Sequence, residues 1–238
     1  MATAARRAHD RLETQAPTPS REEALARYRQ LREIGKRHHS VVLDYLSTDA
    51  VLQQARRLGL ASGRTILAES EDELTLAFDL AINAASTGRS RPIDRYARSA
   101  ALPVGSDEAV MLEAMRKAQF AIMAVEKRHP VAGLIVTDMF RKADLWLMDE
   151  GLERSLPEGE MFATRYFKPA DFAMTAGVCI PLDLDLLELA AMAVPQLGRL
   201  PLVKALEDRR FAEAIYRVAI TGGVMEGVEY RDPDGDDA

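Results

Sequence analysis

The segment of the chain with the greatest potential for chemistry is GKRHHS, residues 35–40, in which two of the four histidines directly follow two cations. Histidine is the commonest metal ligand and titrates near neutral pH. Neighbouring residues on a helix point about 100° apart, however, so a helical His38 and His39 face different directions and do not converge on one metal ion. Zinc-binding helices place two ligands four residues apart, and the positions four residues from either histidine hold no second ligand. The pattern therefore predicts no metal site, no cofactor and no catalytic residue here.

A basic helix face is the more defensible interpretation of the same segment. His38 follows Ile34 by four residues and is predicted to pack inward beside a neighbouring polar group. The cationic and imidazole side chains that share the other side of the helix form a predicted contact surface for an acidic group; they are Arg29, Arg32, Lys36 and His39. A solvated helix face is the alternative interpretation.

A second group of basic residues precedes the fourth predicted helix. It comprises four arginines within ten residues: Arg89, Arg91, Arg95 and Arg98. Guanidinium groups bind carboxylates and phosphates through paired hydrogen bonds, so this group is a second predicted contact for an acidic ligand or partner. The alternative is an internal role, in which these arginines tie the segment to the acidic start of a helix at residues 71–73.

Three other chemically suggestive positions have ordinary structural explanations. Cys179 lies between two apolar residues with no histidine nearby, so it is predicted to be a core residue and not a nucleophile. Asp183 and Asp185 stand two apart and face different ways on a helix, so Asp183 is predicted to cap the helix. Gly222 and Gly223 follow a helix, whereas phosphate-binding loops precede one, and a helix stop is predicted.

The elements that position these residues follow from capping signals and hydrophobic spacing. Ser20 and Glu23 form a capping box, which predicts one long helix over about 21–46 or two halves broken near Gly35. Further helices are predicted after Ser47, Ser70 and Ser106, with an irregular arginine-bearing link over 87–105. Five short apolar or alternating runs then predict strands: FAIMAV, GLIVTDM, DLWLMD, MFATRYF and FAMTAGVCI.

The order of these elements predicts an α+β fold, with N-terminal helices, a five-stranded antiparallel sheet and C-terminal helices. The strands are expected to form a meander that closes into a small barrel or a strongly curved sheet. The predicted boundaries are a flexible arm at 1–19, a helical region at 20–119, an antiparallel β module at 120–181, closing helices at 182–227 and an acidic tail at 228–238.

The β module carries a resemblance to known proteins. The run GLIVTDMFRKADLWLMDEGLERSLPEGEMFATRYFKPADFAMTAG resembles a small β module of uncharacterised bacterial proteins, some of which also have a SEC-C metal-binding segment. This chain lacks the cysteine-rich SEC-C segment, so the resemblance implies no metal site. More broadly, the whole chain resembles a bacterial family of unknown function.

Composition limits the remaining function classes. With 238 residues and 47% hydrophobic residues the chain is long enough for a folded core, and no run approaches the roughly 20 apolar residues of a membrane span. A single cysteine excludes an internal disulfide and indicates a cytoplasmic setting. Residues 1–41 hold nine cations and five acids, so this segment is basic, whereas the whole chain has a formal net charge of −6.

We therefore expect a non-catalytic interaction or regulatory protein whose partner is another protein or an acidic ligand, with a homo-oligomer also open through the apolar run LDLLELAAMAV. Two alternatives remain: a nucleic-acid-binding accessory protein that uses the same arginines, and an enzyme, such as a hydrolase, with a site built from distant residues.

Overall fold

The computed structural model describes residues 18–83, 85 and 90–227. The predicted arm lies outside these residues except for its last two positions, and the predicted acidic tail lies outside them entirely.

The first helix, α1 (Arg21–Leu43), is continuous. Its start is the predicted capping box: the Ser20 hydroxyl accepts from the Glu23 backbone at 3.2 Å, and the Ser20 backbone donates to the Glu23 carboxylate at 2.8 Å. The helix runs through Gly35 without a break, and a β-carbon placed there would lie 3.6 Å from the side chain of Met111, in ordinary contact. Of the two predicted forms, the unbroken helix is therefore the correct one.

Four helices and a small hairpin follow α1. They are α2 (Thr48–Leu58), β1 (Ala61–Ser62), β2 (Thr65–Ile66), α3 (Glu71–Asn83), α4 (Pro92–Ser99) and α5 (Asp107–Arg116). The expectation of an irregular link before α5 is wrong, because α4 lies within it. Pro92 occupies the first turn of α4, where a missing N–H costs nothing, and Ile93 and Tyr96 are buried.

Five antiparallel strands form the predicted sheet, and they occur where the sequence placed them. They are β3 (Gln119–Arg128), β4 (Leu134–Asp138), β5 (Ala143–Leu147), β6 (Met161–Phe167) and β7 (Met174–Leu182). The spatial order is β5-β4-β3-β6-β7, so the expected simple meander is wrong. Helix α6 (Glu150–Ser155) lies between β5 and β6 in the chain, and β6 pairs with the free side of β3.

The sheet is not a closed barrel. Its two edge strands approach each other at a single bridge between Leu147 and Ala173, immediately before β7, among the residues that the structure describes. Of the two expected forms, the closed barrel is therefore wrong.

The chain ends its described part with short helices. These are α7 (Leu184–Ala193), a 3₁₀ helix (Pro195–Arg199), α8 (Leu202–Glu207), α9 (Arg209–Thr221) and a second 3₁₀ helix (Val224–Gly227). Pro195 and Pro201 interrupt the helical path, since proline lacks the N–H that a helix interior needs. Within residues 18–83, 85 and 90–227, no helix is long and apolar enough to cross a membrane.

The buried side chains form three clusters, of which two join groups of helices to the sheet and the third consists mainly of sheet residues. Helices α2, α3 and α7 to α9 cover β3, β6 and β7 through contacts with Phe120, Ile122 and Ile180. Helices α1, α4 and α5 pack as a second group, which reaches the sheet at Phe167 and Met174. The seam between the two groups, where α1 and α3 meet β6 and β7, contains the candidate site.

Candidate functional site

A cavity of about 240 Å³ lies in this seam. Most of its wall is apolar, and the side chains come from the helices on both sides and from the two strands; they include Leu31, Ile82, Met111, Met115, Phe167 and Met174. Such walls favour the apolar part of a ligand, because contact with them removes apolar surface from water.

The polar groups on the α1 side of the cavity come from the predicted basic face. Arg32, Lys36 and His39 stand at i, i+4 and i+7 and all line the cavity. Arg32 donates one hydrogen bond to the backbone carbonyl of Thr175 at 3.0 Å, and Lys36 forms an exposed ion pair with Glu33 at 3.0 Å. The helical spacing has therefore brought three of the four predicted residues to one opening.

Arg29, the fourth residue of the predicted face, lies outside the cavity. Its guanidinium makes two hydrogen bonds of 2.8 Å to the carboxylate of Glu150 in α6. It therefore serves as an internal contact between α1 and α6, and it is a natural comparison for the cavity cations.

His39 is the cavity residue with the most open hydrogen-bonding capacity. Its ring is half-buried and makes no hydrogen bond to any residue that the structure describes. Burial lowers the pKa of His39, the charge of Asp79 opposes that change, and the charge of Arg32 adds to it. A neutral ring with one donor and one acceptor therefore faces the cavity at pH 7.

A buried ion pair lies on the cavity wall opposite α1. The guanidinium of Arg165 in β6 donates to both carboxylate oxygens of Asp79 in α3, at 2.8 and 3.0 Å. The Tyr216 hydroxyl donates to the same carboxylate at 2.8 Å, and the Asn83 amide donates at 3.2 Å. Asp79, Arg165 and Tyr216 are all buried, with 6%, 9% and 0% of their surfaces exposed.

The electrostatics of this pair favour the charged form of Arg165. Burial opposes the charged form of Arg165, but the charge of Asp79 and the interactions with Tyr216 outweigh it, so the pKa of Arg165 is raised. The guanidinium also lies 5.8 Å from the centre of the Phe120 ring. The Asp79 carboxylate is therefore saturated by protein donors, and it fixes the position of the cavity wall.

Sequence reasoning missed Asp79 and Arg165, although each carried a signal. Asp79 interrupts the apolar run LAFDLAI of α3, and Arg165 sits within the strand run MFATRYF. A charged residue within an apolar element is rarely buried unless it is paired, so two such residues of opposite sign are candidates for each other.

His38 packs inward, as its helical position predicts. It is 4% exposed, with Nδ1 2.7 Å from the Tyr96 hydroxyl and Nε2 2.9 Å from the backbone carbonyl of Glu108. A carbonyl only accepts, so Nε2 carries the proton and Nδ1 accepts from Tyr96. Burial lowers the pKa of His38. This histidine is a core residue outside the cavity.

The arginines near α4 are engaged within the protein. Arg91 bonds the Asp94 carboxylate at 2.7 and 3.0 Å, and Arg95 and Arg98 bond the backbone and side chain of Ser90 at 2.7 and 2.6 Å. Arg95 also donates to the carbonyl of Tyr45. Arg91, Arg95 and Arg98 therefore have the internal role that was the alternative interpretation, but their partners are Asp94, Arg116, Ser90 and Tyr45 and not residues 71–73. Arg89 lies outside the described residues.

The remaining candidates take the structural roles that the sequence indicates. Cys179 is buried, and burial raises the pKa of its thiol. The Asp183 carboxylate accepts from the Leu186 backbone at 2.7 Å as the cap of α7, and Gly222 ends α9. Among the residues that the structure describes, no group of three histidine, cysteine, aspartate or glutamate side chains is placed to hold a metal ion.

The comparisons with known proteins place the chain in a family. The sequence model of a family of unknown function, DUF7986, matches residues 22–186, which is more than half of the chain. The chain belongs to this family. Every residue that lines the cavity falls within the DUF7986 match, whereas Tyr216 and the helices α8 and α9 lie beyond it. The DUF7986 match gives no link to a SEC-C segment. No curated protein and no solved structure gives a significant match.

Proposed function

We propose that this protein binds a small ligand with an apolar body and an anionic group, and that the ligand occupies the cavity between α1, α3 and the β6–β7 strands. The observation that supports it most is the division of the cavity wall. Apolar side chains form most of the wall, and Arg32, Lys36 and His39 stand together on one side of it. This combination fits an amphipathic acid, whose charged end meets Arg32 and Lys36 and accepts a hydrogen bond from the neutral ring of His39.

The size of the cavity limits the ligand. At about 240 Å³ it is smaller than the ~300–1,000 Å³ sites that hold drug-sized molecules. A short-chain or single-ring carboxylic acid is therefore the ligand class that we propose.

The arrangement of the cations supports a small acid over a nucleic acid. A nucleic-acid surface needs many exposed cations along a groove. Here Arg29 is occupied by Glu150, and the arginines of α4 bond to Asp94 and Ser90. The other two predicted cations of α1, Arg32 and Lys36, both line one cavity. A cytoplasmic location fits this role, because the chain has one cysteine and that cysteine is buried.

A second candidate function is an enzyme that uses His39 as an acid or base. The ring of His39 faces the cavity with both nitrogens open, and the charge of Asp79 acts on it. Replacement of His39 by Gln separates the two roles, since it would abolish turnover of a bound acid in an enzyme and would leave binding within a few-fold in a carrier or sensor.

The experiment that tests the proposal is a comparison of matched acids and neutral analogues. Benzoate, phenylacetate, hexanoate and octanoate are titrated by calorimetry against the corresponding primary alcohols and amides. We expect at least one acid to bind and its neutral analogue to bind at least tenfold more weakly. Arg32→Gln removes a charge-assisted hydrogen bond of about 1.5–3 kcal/mol, which is roughly a 10- to 100-fold loss of affinity.

Two further variants locate the binding site. Ala176→Phe adds a ring to a half-buried position of the cavity wall and is expected to abolish binding. Arg29→Gln removes a cation from the same helix outside the cavity and is expected to leave the affinity unchanged. Equal binding of acids and alcohols, or equal losses in the Arg29 and Arg32 variants, would overturn the proposal.

A further inference from the structure

The closing helices expose an apolar surface, which we call the α7–α8 surface. Its large apolar side chains are at least 39% exposed and belong to α7, the start of α8 and the turn before it; they are Leu184, Leu189, Met192, Leu200, Leu202 and Val203. Helix α7 contacts the first 3₁₀ helix, which in turn contacts α8, so the three elements pack in succession. Together these side chains expose on the order of 500 Å², near the upper end of the apolar patches that monomers carry.

The charged residues of this surface that form no ion pair with a described residue are divided by sign along the chain, whereas Lys204 and Glu207 of α8 pair with each other at 2.8 Å. Asp185 and Glu188 lie in the first half of α7, and Arg199 lies beyond its C-terminal end, in the last position of the 3₁₀ helix. None of these three side chains forms an ion pair with any residue in the described ranges. Along the chain, the acids therefore lie in the first half of α7 and the cation follows its C-terminal end.

We infer that the α7–α8 surface is a homodimer interface in which two copies of α7 lie antiparallel across a two-fold axis. A two-fold interface uses the same surface on both subunits, so it must be self-complementary. The antiparallel arrangement brings Asp185 and Glu188 of each copy towards Arg199 of the partner subunit. It also covers the apolar residues with their own counterparts, which is the favourable term in association.

The charge pattern distinguishes a second copy from other occupants. A membrane surface attracts basic amphipathic helices, and α7 itself carries two acids and no cation. A partner of unrelated sequence would not require acids in the first half of α7 and a cation after its C-terminal end, whereas an antiparallel copy pairs them. Each subunit would also contribute less than the ~800 Å² of a standard interface from these side chains alone, so a dissociation constant in the micromolar range is expected.

The interface is tested by sedimentation velocity of the full chain from about 1 to 200 μM. The wild-type protein is expected to convert from monomer to dimer across this range without larger species. Met192→Lys places a charge at a 63% exposed position and is expected to raise the dissociation constant by about tenfold or more. Leu67→Lys changes a 53% exposed position outside the surface and is expected to leave it unchanged.

A charge exchange tests the antiparallel arrangement. Glu188→Arg and Arg199→Glu are each expected to weaken the dimer several-fold, and the double variant is expected to restore it. A monomer at all concentrations, an open series of higher oligomers, equal effects of the Met192 and Leu67 variants, or a double variant weaker than either single one would each overturn the inference. Circular dichroism spectra and unfolding midpoints confirm that the variants fold.

Discussion

Removing one partner of the buried ion pair between Asp79 and Arg165 should strongly lower the stability of the protein. Replacing Asp79 with Ala deletes the carboxylate that accepts from Arg165, Tyr216 and Asn83. The Arg165 side chain is only 10% exposed, so its guanidinium has little access to water as a substitute partner. The variant therefore retains an unpaired cation inside the protein.

The size of the effect follows from that unpaired charge. Removing one partner of a buried ion pair costs about 3–5 kcal/mol. For a chain of this length that loss lowers the thermal midpoint by about 6–20 °C, at roughly 2–4 °C per kcal/mol. Replacing both residues, as in Asp79→Leu with Arg165→Met, removes both buried charges and should cost clearly less than Asp79→Ala alone.

Urea unfolding followed by circular dichroism and by the fluorescence of Trp146 measures these differences. Arg64→Ala is a suitable control, because Arg64 and Asp49 form an ion pair of 3.4 Å with both side chains more than 75% exposed. Its midpoint should not change measurably. The reasoning is refuted if Asp79→Ala costs less than about 1 kcal/mol, or if the double variant is less stable than the single one.

Three other predictions concern stability and reactivity. Gly133→Ala should lower the thermal midpoint sharply, because the new β-carbon would lie 2.3 Å from a backbone oxygen. Gly159→Ala should lower it much less, because Gly159 also has a positive φ but has open space around it. Melting curves of the two variants therefore separate the effect of the steric clash from that of backbone strain alone. The wild-type protein should lose stability as the pH falls below about 6.5, because burial lowers the folded-state pKa of His38 and the unfolded chain then binds more protons. In urea titrations, the free energy of unfolding should differ less between pH 7 and pH 5 for His38→Gln than for the wild type. Cys179 should react with a thiol reagent only as fast as the protein unfolds, since burial raises its pKa; rapid labelling under native conditions would contradict this.

Local patterns in the sequence predicted much of the fold. The capping box at Ser20 gave the start of α1, and alternation in five short runs gave the strands, because both signals depend on neighbouring residues. Helix α4 was missed, since its arginines and its leading proline are also typical of an irregular link. The pairing of β6 with β3 was missed because alternation indicates which face a residue occupies and not which strand lies beside it.

The candidate site was predictable only on its α1 side. Arg32, Lys36 and His39 follow helical spacing, so their common face could be deduced. Asp79 and Arg165 are 86 residues apart, and no periodicity connects a helix to a strand over that distance. The binding role of the basic residues remains a prediction.

The Tyr216 hydroxyl has a consequence for the way the chain is made. It donates a hydrogen bond to Asp79, which precedes it by 137 residues, so the ribosome synthesises Asp79 long before Tyr216. During synthesis, Asp79 of α3 therefore lacks two of its hydrogen-bond donors until first Arg165 and then Tyr216 of α9 have been added to the chain. Contacts this distant in sequence slow folding, because a long loop must close before they form. The hydrogen bonds of Asp79 are thus expected to be complete only after α9 has been synthesised.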